Sequence, residues 1–412
     1  MKNKFLQEMK SRGYIHQCTN IDKLAEICNK QSIYGYIGFD CTAKSLHVGS
    51  LLQIMILKLM QKYGHKPIIL LGGGTTLIGD PSGKDTTRKI LSEKQIKNNI
   101  KSIKKVFNKI LDNSDKKTKP IFVDNAKWLT KLNFIKFLRD VGSHFTINKM
   151  LTFESIKLRL DREQSLSYME FNYMILQAFD FYQLYKNKKC ILQIGGSDQW
   201  GNIVSGVDLI RRILQKESFG LTSPLITLAS GTKMGKTEKG AIWLNEELFS
   251  AYDYWQFWRN VDDRDVKRFL NFFTELNHEE IDKICNEEKN INNLKKILAN
   301  EATKILHGKI ASQKAEQTAK TTFESGGLGL ELPEIKIKSN QIENGIDLLE
   351  FLTENKLTFS KSEARRTIAN NGLKINNLIV NKDKKFIEID DFKRKILKIS
   401  FGKKKHYLVK II

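Results

Sequence analysis

Five short stretches of this 412-residue chain gather glycines, hydroxyls, amides and cations in patterns suited to a nucleotide. The first, Gly38 to Ser50, contains Asp40, Thr42, His47 and Gly49 and leads from an apolar β-type run into a helical one. A helix start leaves backbone N–H groups unpaired and presents the positive end of its dipole, which suits phosphate. Gly49 lets a nucleotide lie against bare backbone, and Thr42 and His47 can donate to phosphate oxygens. The plainer alternative is an ordinary strand-to-helix turn with His47 near the cap. The second stretch, Gly72 to Lys84 followed by Arg88, is glycine-rich but lacks the Gly-Lys-Ser/Thr ending of a P-loop. Lys84 and Arg88 are then either mobile phosphate donors or members of a solvated charge run.

The third stretch is helical. Tyr173, Gln177 and Asp180 stand at i, i+4 and i+7, a spacing that lines them along one face. Met174, Ile175, Leu176 and Phe179 surround them, so the polar stripe needs a hydrogen-bond network or a small polar ligand to satisfy it. The fourth, Gln193 to Asn202, passes through Gly195 and Gly196, where a flat ligand can lie on the backbone beside Asp198 and Gln199. The fifth, Gly231 to Thr237, places Lys233 and Lys236 three apart on a glycine-flanked loop, a cationic flap able to close over phosphates. Neither a Ser/His/Asp nor a Cys/His pairing is legible in the sequence, nor is a metal-ligand cluster. The chemistry this set favours is displacement at phosphorus by positioning and electrostatics, not covalent catalysis.

These stretches sit at the ends of apolar runs that must hold them. Residues 33–39, 67–71, 121–123 and 190–194 read as strands, separated by helical patterns such as residues 47–63. That alternation predicts an α/β fold with a parallel sheet between helices, whose ligands bind beyond the carboxyl ends of the strands. From about Glu246 to Ser325 the strand signals vanish. Leu270, Phe273, Ile281, Ile284, Leu294, Ile297, Leu298 and Ile305 recur there at helical spacing. Ser325 to Gly329 and Leu332-Pro333 mark a linker, and the residues from Gln341 form a third unit with a net charge of +7.

The whole chain carries 69 Lys+Arg against 46 Asp+Glu, a net +23, with 41% hydrophobic and 28% charged residues. Those proportions exclude wholesale disorder and a fibrous architecture. The positive balance fits a polyanionic partner reached through phosphate contacts. Since 56 of the 69 basic residues are Lys, compositional bias of the genome would produce the same excess. The best apolar run, Leu51 to Met60, is ten residues broken by Lys58, too short to span a membrane, and the N-terminus shows no signal-peptide core. Five scattered cysteines without a Cys-x-x-Cys pair argue against a disulfide framework or zinc ribbon, and favour a reducing, cytoplasmic compartment.

Taken in order, four motifs resemble the signatures of the bacterial-type tyrosyl-tRNA synthetases, class I aminoacyl-tRNA synthetases, and the similarity runs essentially end to end. They are His47-Val48-Gly49, Gly79-Asp80-Pro81-Ser82-Gly83-Lys84, the run from Gln193 through Gly195-Gly196-Ser197-Asp198-Gln199-Trp200-Gly201 to Asn202, and Lys233-Met234-Gly235-Lys236-Thr237. The resemblance implies a Rossmann-type catalytic domain over residues 1–230, a mobile loop and linker over 231–245 and a helical anticodon-side domain over 246–325. A linker over 326–340 and a small α+β RNA-binding domain of ribosomal-protein type over 341–412 complete it, the last matched by Ser362 to Ala369 and Gly372 to Asn376.

The same resemblance implies activation of L-tyrosine by ATP to tyrosyl-adenylate, with Mg²⁺ carried on ATP, and transfer to the 3′-terminal adenosine of tRNA(Tyr) by a cytoplasmic homodimer. It assigns the substrate phenol to Tyr36 and Asp180, the ammonium to Asp80, Tyr173 and Gln177, and the region of the reacting carboxylate to Gln199. Asp198 falls at the ribose, and Asp40, Gly49, Ser50, Gly195 and Gly196 in the adenylate pocket. Thr42 and His47 match residues that stabilise the phosphates in the transition state; Lys84, Arg88, Lys233, Lys236 and Thr237 match loop residues that engage pyrophosphate. Three positions depart from the family pattern. Ser50 stands where a second histidine is usual, Cys41 where proline is common, and Ile37 where a small or thiol side chain is common. Ser50 keeps a hydroxyl of shorter reach, so activation is expected to survive.

Phenylalanine would leave the Tyr36/Asp180 pair unsatisfied, so no editing domain is expected. Tryptophanyl-tRNA synthetases share the fold, but an indole offers that pair one donor and no acceptor. A non-catalytic RNA-binding derivative would have lost Lys233, Lys236, Asp80 or Gln177, all of which are present.

Overall fold

Runs of β-branched and aliphatic residues form the strands at the centre of the first part of the chain: β1 (Gln17–Cys18), β2 (Tyr34–Phe39), β3 (Lys66–Leu71), β4 (Ile121–Asp124), β5 (Cys190–Gly196) and β6 (Phe219–Ser223). The computed structural model describes residues 3–79, 91–237, 240–323, 332–343, 345–393, 395–402 and 405–412. The strands lie in the order β1-β6-β5-β2-β3-β4, with β2 to β6 mutually parallel and β1 antiparallel along the β6 edge. Ile68, Ile69, Leu70 and Leu71 of β3 are all buried, as a strand covered on both faces requires. β6 and the two-residue β1 extend the sheet beyond the four strands expected. β1 is too short to show a period, and the Gly-Leu-Thr-Ser of β6 has no alternating pattern.

This strand order positions the site. The chain steps outward from β2 through β3 to β4, then crosses to the other side of β2 for β5 and β6. The order of the strands therefore reverses between the parallel pair β2 and β5, and in sheets of this kind ligands bind beyond the carboxyl ends of such a pair, here at Phe39 and Gly196. The Leu51–Lys62 helix follows β2 and is buried nearly all round, which explains its unbroken apolar run. Among the described residues no helix is long and apolar enough to cross a membrane. The Tyr168–Lys188 helix begins with a capping box between Ser167 and Glu170 and ends at Lys189 in the left-handed conformation, at φ 55°. The Trp200–Leu214 helix packs beside it.

The chain divides into two compact units, one of Met1–Phe249 and Trp258–Leu306, the other of Ser250–Phe257 and His307–Ile412. In the first unit the helices Val266–Phe273, His278–Glu287 and Ile291–His307 follow the helical spacing of the sequence, and Trp258 packs its ring 4.8 Å from that of Phe273. The second unit is α+β. Its five-stranded sheet orders Leu378–Ile379, Leu373–Ile375, Ile396–Phe401, Lys405–Ile411 and Glu334–Ile337. Leu348, Phe351, Leu352, Ala364, Leu373, Leu397, Ile399 and Val409 share its core. Glu334–Ile337 lies within the stretch read from sequence as a linker; its alternating Glu-Ile-Lys-Ile pairs parallel to the last strand and turns Ile337 inward.

Candidate active site

Asp180 is 1% exposed and lies on the buried face of the Tyr168–Lys188 helix. Its two oxygens are held by different donors from the short Ala126–Leu129 helix after β4 and its cap: Trp128 Nε1–H donates to Oδ1 at 2.7 Å and Asn125 Nδ2–H to Oδ2 at 2.8 Å. Burial dominates its titration and, with the charges of Asp40 and Asp124, raises its pKa to about 7 against the opposing effect of these two donors. Tyr36, on β2, is equally buried and stacks at a tilt on Phe181 with ring centroids 5.4 Å apart. Burial and the Asp180 charge push its phenol far above its ordinary range. Its hydroxyl finds no hydrogen-bond partner among the described residues. A buried hydroxyl left so costs about 1–3 kcal/mol, which a ligand carrying its own hydroxyl beside Asp180 would offset.

One turn earlier on that helix is Gln177, and two turns earlier the buried Tyr173. Asn202 Nδ2 donates to Gln177 Oε1 and to Gln199 Oε1, each at 3.1 Å, so one amide aligns the two glutamines from different helices. Gly195 passes close beneath Gln199, where a Cβ would fall 3.1 Å from that residue's own Cβ. Asp198 is pushed up by burial, with the Lys233 charge opposing.

The Gly72–Gly74 stretch has a packing reason. A Cβ at Gly73 would fall 2.2 Å from Asp124 Oδ1, and one at Gly72 2.5 Å from Thr75 Oγ1. The bare backbone lets Asn125 Oδ1 accept from Gly74 N at 2.8 Å while its Nδ2 also reaches Thr75 Oγ1 at 3.1 Å. Thr76 Oγ1 accepts from Cys41 N at 2.9 Å, and Asn99 Nδ2 donates to Cys41 O at 2.8 Å. Cys41 is thereby fixed as a buried thiol, pushed up to about 12 chiefly by burial. Asp40 lies next to it at the mouth of β2, within 3.5 Å of Thr75 Oγ1.

At the head of the Leu51–Lys62 helix, Gly49 N–H donates to His47 Nδ1 at 3.0 Å. Nδ1 is thus the acceptor, which leaves the proton of the neutral ring on Nε2. Ser50 occupies the cap position without a side-chain cap bond, and Thr42 is exposed. The stretch read as a loop from Gly231 is paired backbone instead. Thr227 bridges Lys233, Met234 N donates to Ile226 O at 2.9 Å, and Lys236–Thr237 pairs with Gly240–Ala241. Val48 N then donates to Ile242 O at 2.8 Å and Leu244 N to Leu46 O at 2.9 Å, which seats the flap against the residues around His47.

The contacts thus link Tyr36 to Asp180, Gln177 to Gln199 through Asn202, Asp40 to Thr75, Asp198 to Lys233 and His47 to Gly235 of the flap. Asp80, Lys84 and Arg88 lie outside the described residues, as do the side chains of Lys236 and Thr237. Sequence reasoning missed Asn125 and Trp128 altogether and gave Asn202 no role. No periodic signal marks the first two, which follow a four-residue strand; Asn202 sat in a quoted motif, three residues from Gln199 on a helical spacing.

A family model for tRNA synthetases class I (W and Y) matches residues 29–324, and one for the tyrosine–tRNA ligase SYY-like C-terminal domain matches residues 329–409. A tyrosine–tRNA ligase of Pelagibacter ubique is 59% identical over 410 residues, covering 100% of each chain. That of Rickettsia conorii is 50% identical over 99% of this chain and 100% of its own. Among solved structures, a C-terminally truncated mitochondrial tyrosyl-tRNA synthetase of Aspergillus nidulans aligns with a TM-score of 0.70 at 29% identity, covering 78% of this chain and 95% of that one. A tryptophanyl-tRNA synthetase of Encephalitozoon cuniculi shares the fold at 14% identity and a TM-score of 0.55, covering 75% of this chain and 86% of that one.

Proposed function

The chain belongs to the class I tRNA synthetases of the W and Y family, and we propose that it activates L-tyrosine with ATP and charges tRNA(Tyr). The observation that carries the choice of amino acid is the buried pair of Tyr36, whose hydroxyl has no partner among the described residues, and Asp180, held by Trp128 and Asn125. A phenol entering there donates to the carboxylate and accepts from Tyr36. A phenyl ring does neither and leaves both groups unsatisfied. Tyr173, Gln177 and Asp80 hold the ammonium, and Gln199 lies by the carboxylate.

That carboxylate attacks the α-phosphorus of ATP in line, and the bond to the bridging oxygen breaks as pyrophosphate takes the electron pair. Mg²⁺ travels with ATP as part of the substrate. Asp40, Gly49, Ser50, Gly195, Gly196 and Asp198 cradle the adenylate. Thr42 and the Nε2–H of His47 donate to phosphate oxygens as charge moves onto the leaving group, and Lys84, Arg88, Lys233, Lys236 and Thr237 neutralise it. A terminal hydroxyl of tRNA then attacks the tyrosyl carbonyl and AMP leaves.

We assign this chemistry to residues 1–230, the flap to 231–245 and the helical anticodon-side domain to 246–325; the RNA-binding unit of 341–412 also takes in the strand Glu334–Ile337 from the 326–340 stretch, and its excess of cations suits RNA phosphates. Phe134, Ile135 and Ile147, between β4 and the Tyr168–Lys188 helix, and Tyr168 at that helix's start are each 60% or more exposed and support a homodimer. The five thiols, all free, accord with a cytoplasmic setting. ATP–pyrophosphate exchange with each of the twenty amino acids tests the assignment. Exchange with tyrosine alone upholds it, exchange with tryptophan transfers the chain to the other branch of its family, and none with any amino acid removes the activity.

A further inference from the structure

Gly235 sits at φ +109° in the flap, and a Cβ built there would fall 2.4 Å from His47 Nδ1, 3.0 Å from its Cε1 and 3.2 Å from Gly49 N. From the other segment, a Cβ at Gly49 would fall 2.7 Å from Met234 O and 2.7 Å from His47 Cε1. Two glycines far apart in sequence therefore close on one imidazole. Met234, between the flap and the turn, is 4% exposed, and Ile242 N donates to Gly235 O at 3.2 Å, so the contact belongs to a paired and packed segment. The room left by the two missing side chains matches the ring of His47, whose Nδ1 is already committed to Gly49 N–H.

We propose that Gly235 is a positioning residue of the activation step. By seating bare backbone on His47 it holds the imidazole in the plane in which Nδ1 accepts from Gly49 N–H and Nε2 is turned toward the phosphate side, and it couples the set of the Lys233/Lys236 flap to the orientation of His47. This rests on the reading of the chain as a tyrosine-activating enzyme. The flap's glycine thus serves the histidine at the head of the Leu51–Lys62 helix, and not only the flexibility of its own loop. A methyl at Gly235 must displace either the ring or the flap, whereas the same change at Gly231 meets nothing. That residue also has a positive φ, of +81°, but no described atom lies within 4 Å of its Cβ position.

The test uses the full-length protein and compares G235A, G231A, H47A and the G235A/H47A double variant in tyrosine-dependent ATP–pyrophosphate exchange. Tyrosine binding is measured alongside by intrinsic fluorescence. G235A is expected to lower kcat about a hundredfold, the size of an ångström-scale misplacement, with the tyrosine Kd within about twofold of wild type. G231A pays only backbone strain and should lose less than about fivefold. The double variant should be no slower than H47A by more than about twofold, because the two residues act through one ring. Multiplying effects in the double variant, or equal losses from G231A and G235A, overturn the inference and leave the activity standing. Absence of exchange in the wild-type protein overturns both.

Discussion

Trp128 holds Asp180 across 52 residues of sequence: the indole Nε1–H donates to Oδ1 at 2.7 Å, and the carboxylate is fully buried. The donor fixes the rotamer of the group proposed to recognise the substrate phenol and favours its charged form. Trp128→Phe keeps an aromatic ring in place but removes the donor together with the five-membered ring that carries it. A hydrogen bond to a buried charge contributes about 1.5–3 kcal/mol, so the Kd for tyrosine should rise by one to two orders of magnitude. The variant should also carry the Asp180 pKa above its value of about 7. A pH titration of tyrosine binding that keeps both affinity and midpoint would remove Trp128 from the site.

Asp180 makes tyrosine binding pH-dependent near neutrality. A phenol O–H needs the ionised carboxylate as acceptor, so affinity should fall as the pH drops through about 7, approaching tenfold per unit on the acid side. Stability runs the other way. Between the ordinary value of 3.8 and about 7 the folded protein retains a proton that the unfolded chain releases, so this group's contribution falls as the pH rises through that window. Calorimetry of tyrosine binding across the range, with Asp180→Asn as the flat reference, checks the first trend; urea unfolding checks the second.

Asn202 donates to Gln177 and Gln199 together, at 3.1 Å each. Asn202→Ala frees both glutamines to turn, and the pocket must then order them when substrate arrives. Activation kinetics should show kcat/KM for tyrosine lowered about tenfold, with the KM for ATP nearly unchanged. An equal rise in both KM values would mean that the bridge serves the whole fold and not the amino-acid pocket.

The features legible in the sequence share a local cause. A helical period brings Tyr173, Gln177 and Asp180 to one face, apolar runs mark β2 to β5, and glycines mark the ends of strands where backbone is exposed. What stayed hidden depends on contacts between distant segments. Asn125 and Trp128 follow a four-residue strand, with nothing in their neighbourhood to show that they reach Asp180. The glycines at 72–74 suggested ligand contact, yet each also makes room for the end of β4 and the short helix after it, through Asp124, Asn125 or Leu129, or for Asp40 and Thr75. Pairing of the Lys233 segment was equally invisible, because its bridge to Thr227 and the bonds of residues 46–48 to residues 242–244 obey no sequence period.

The exposed apolar side chains between β4 and the Tyr168–Lys188 helix make a prediction about assembly. Ile135 is 72% exposed and Ile147 64%, so neither contributes much to the core of its own chain. Replacing both by Glu should leave the unfolding midpoint nearly unchanged while placing charge in the proposed subunit interface, where an unpaired buried charge costs several kcal/mol. Sedimentation equilibrium should then show a dimer for the wild type and a monomer for the variant. A dimeric variant would move the interface elsewhere.

Arg12 ties two helices of the first unit with one guanidinium and reaches a third through Glu8. Its Nη1 donates to Asn271 O at 3.0 Å and Thr274 O at 2.9 Å, its Nη2 to Leu276 O at 2.8 Å, and its Nε to Glu8 at 2.8 Å. These carbonyls lie in and just beyond the last turn of the Val266–Phe273 helix, where backbone acceptors lack helical partners. Glu8 in turn accepts from Lys62 and Tyr63 at the end of the Leu51–Lys62 helix. Burial raises the Glu8 carboxyl, but the bonds from Lys62, Tyr63 and Arg12 outweigh it and leave its pKa below 4.5. Arg12→Ala strands buried acceptors and one charge together, so urea unfolding should show a loss of about 3–5 kcal/mol. Lys in its place should recover less than half, since a single ammonium cannot reach along the fork. The stability that Glu8 supplies is present above pH 4.5 and is lost as the pH falls through its lowered folded value, so the acid limb of the stability curve should flatten in Arg12→Ala. An unchanged acid limb would assign the effect to the helix end alone and detach Glu8 from it.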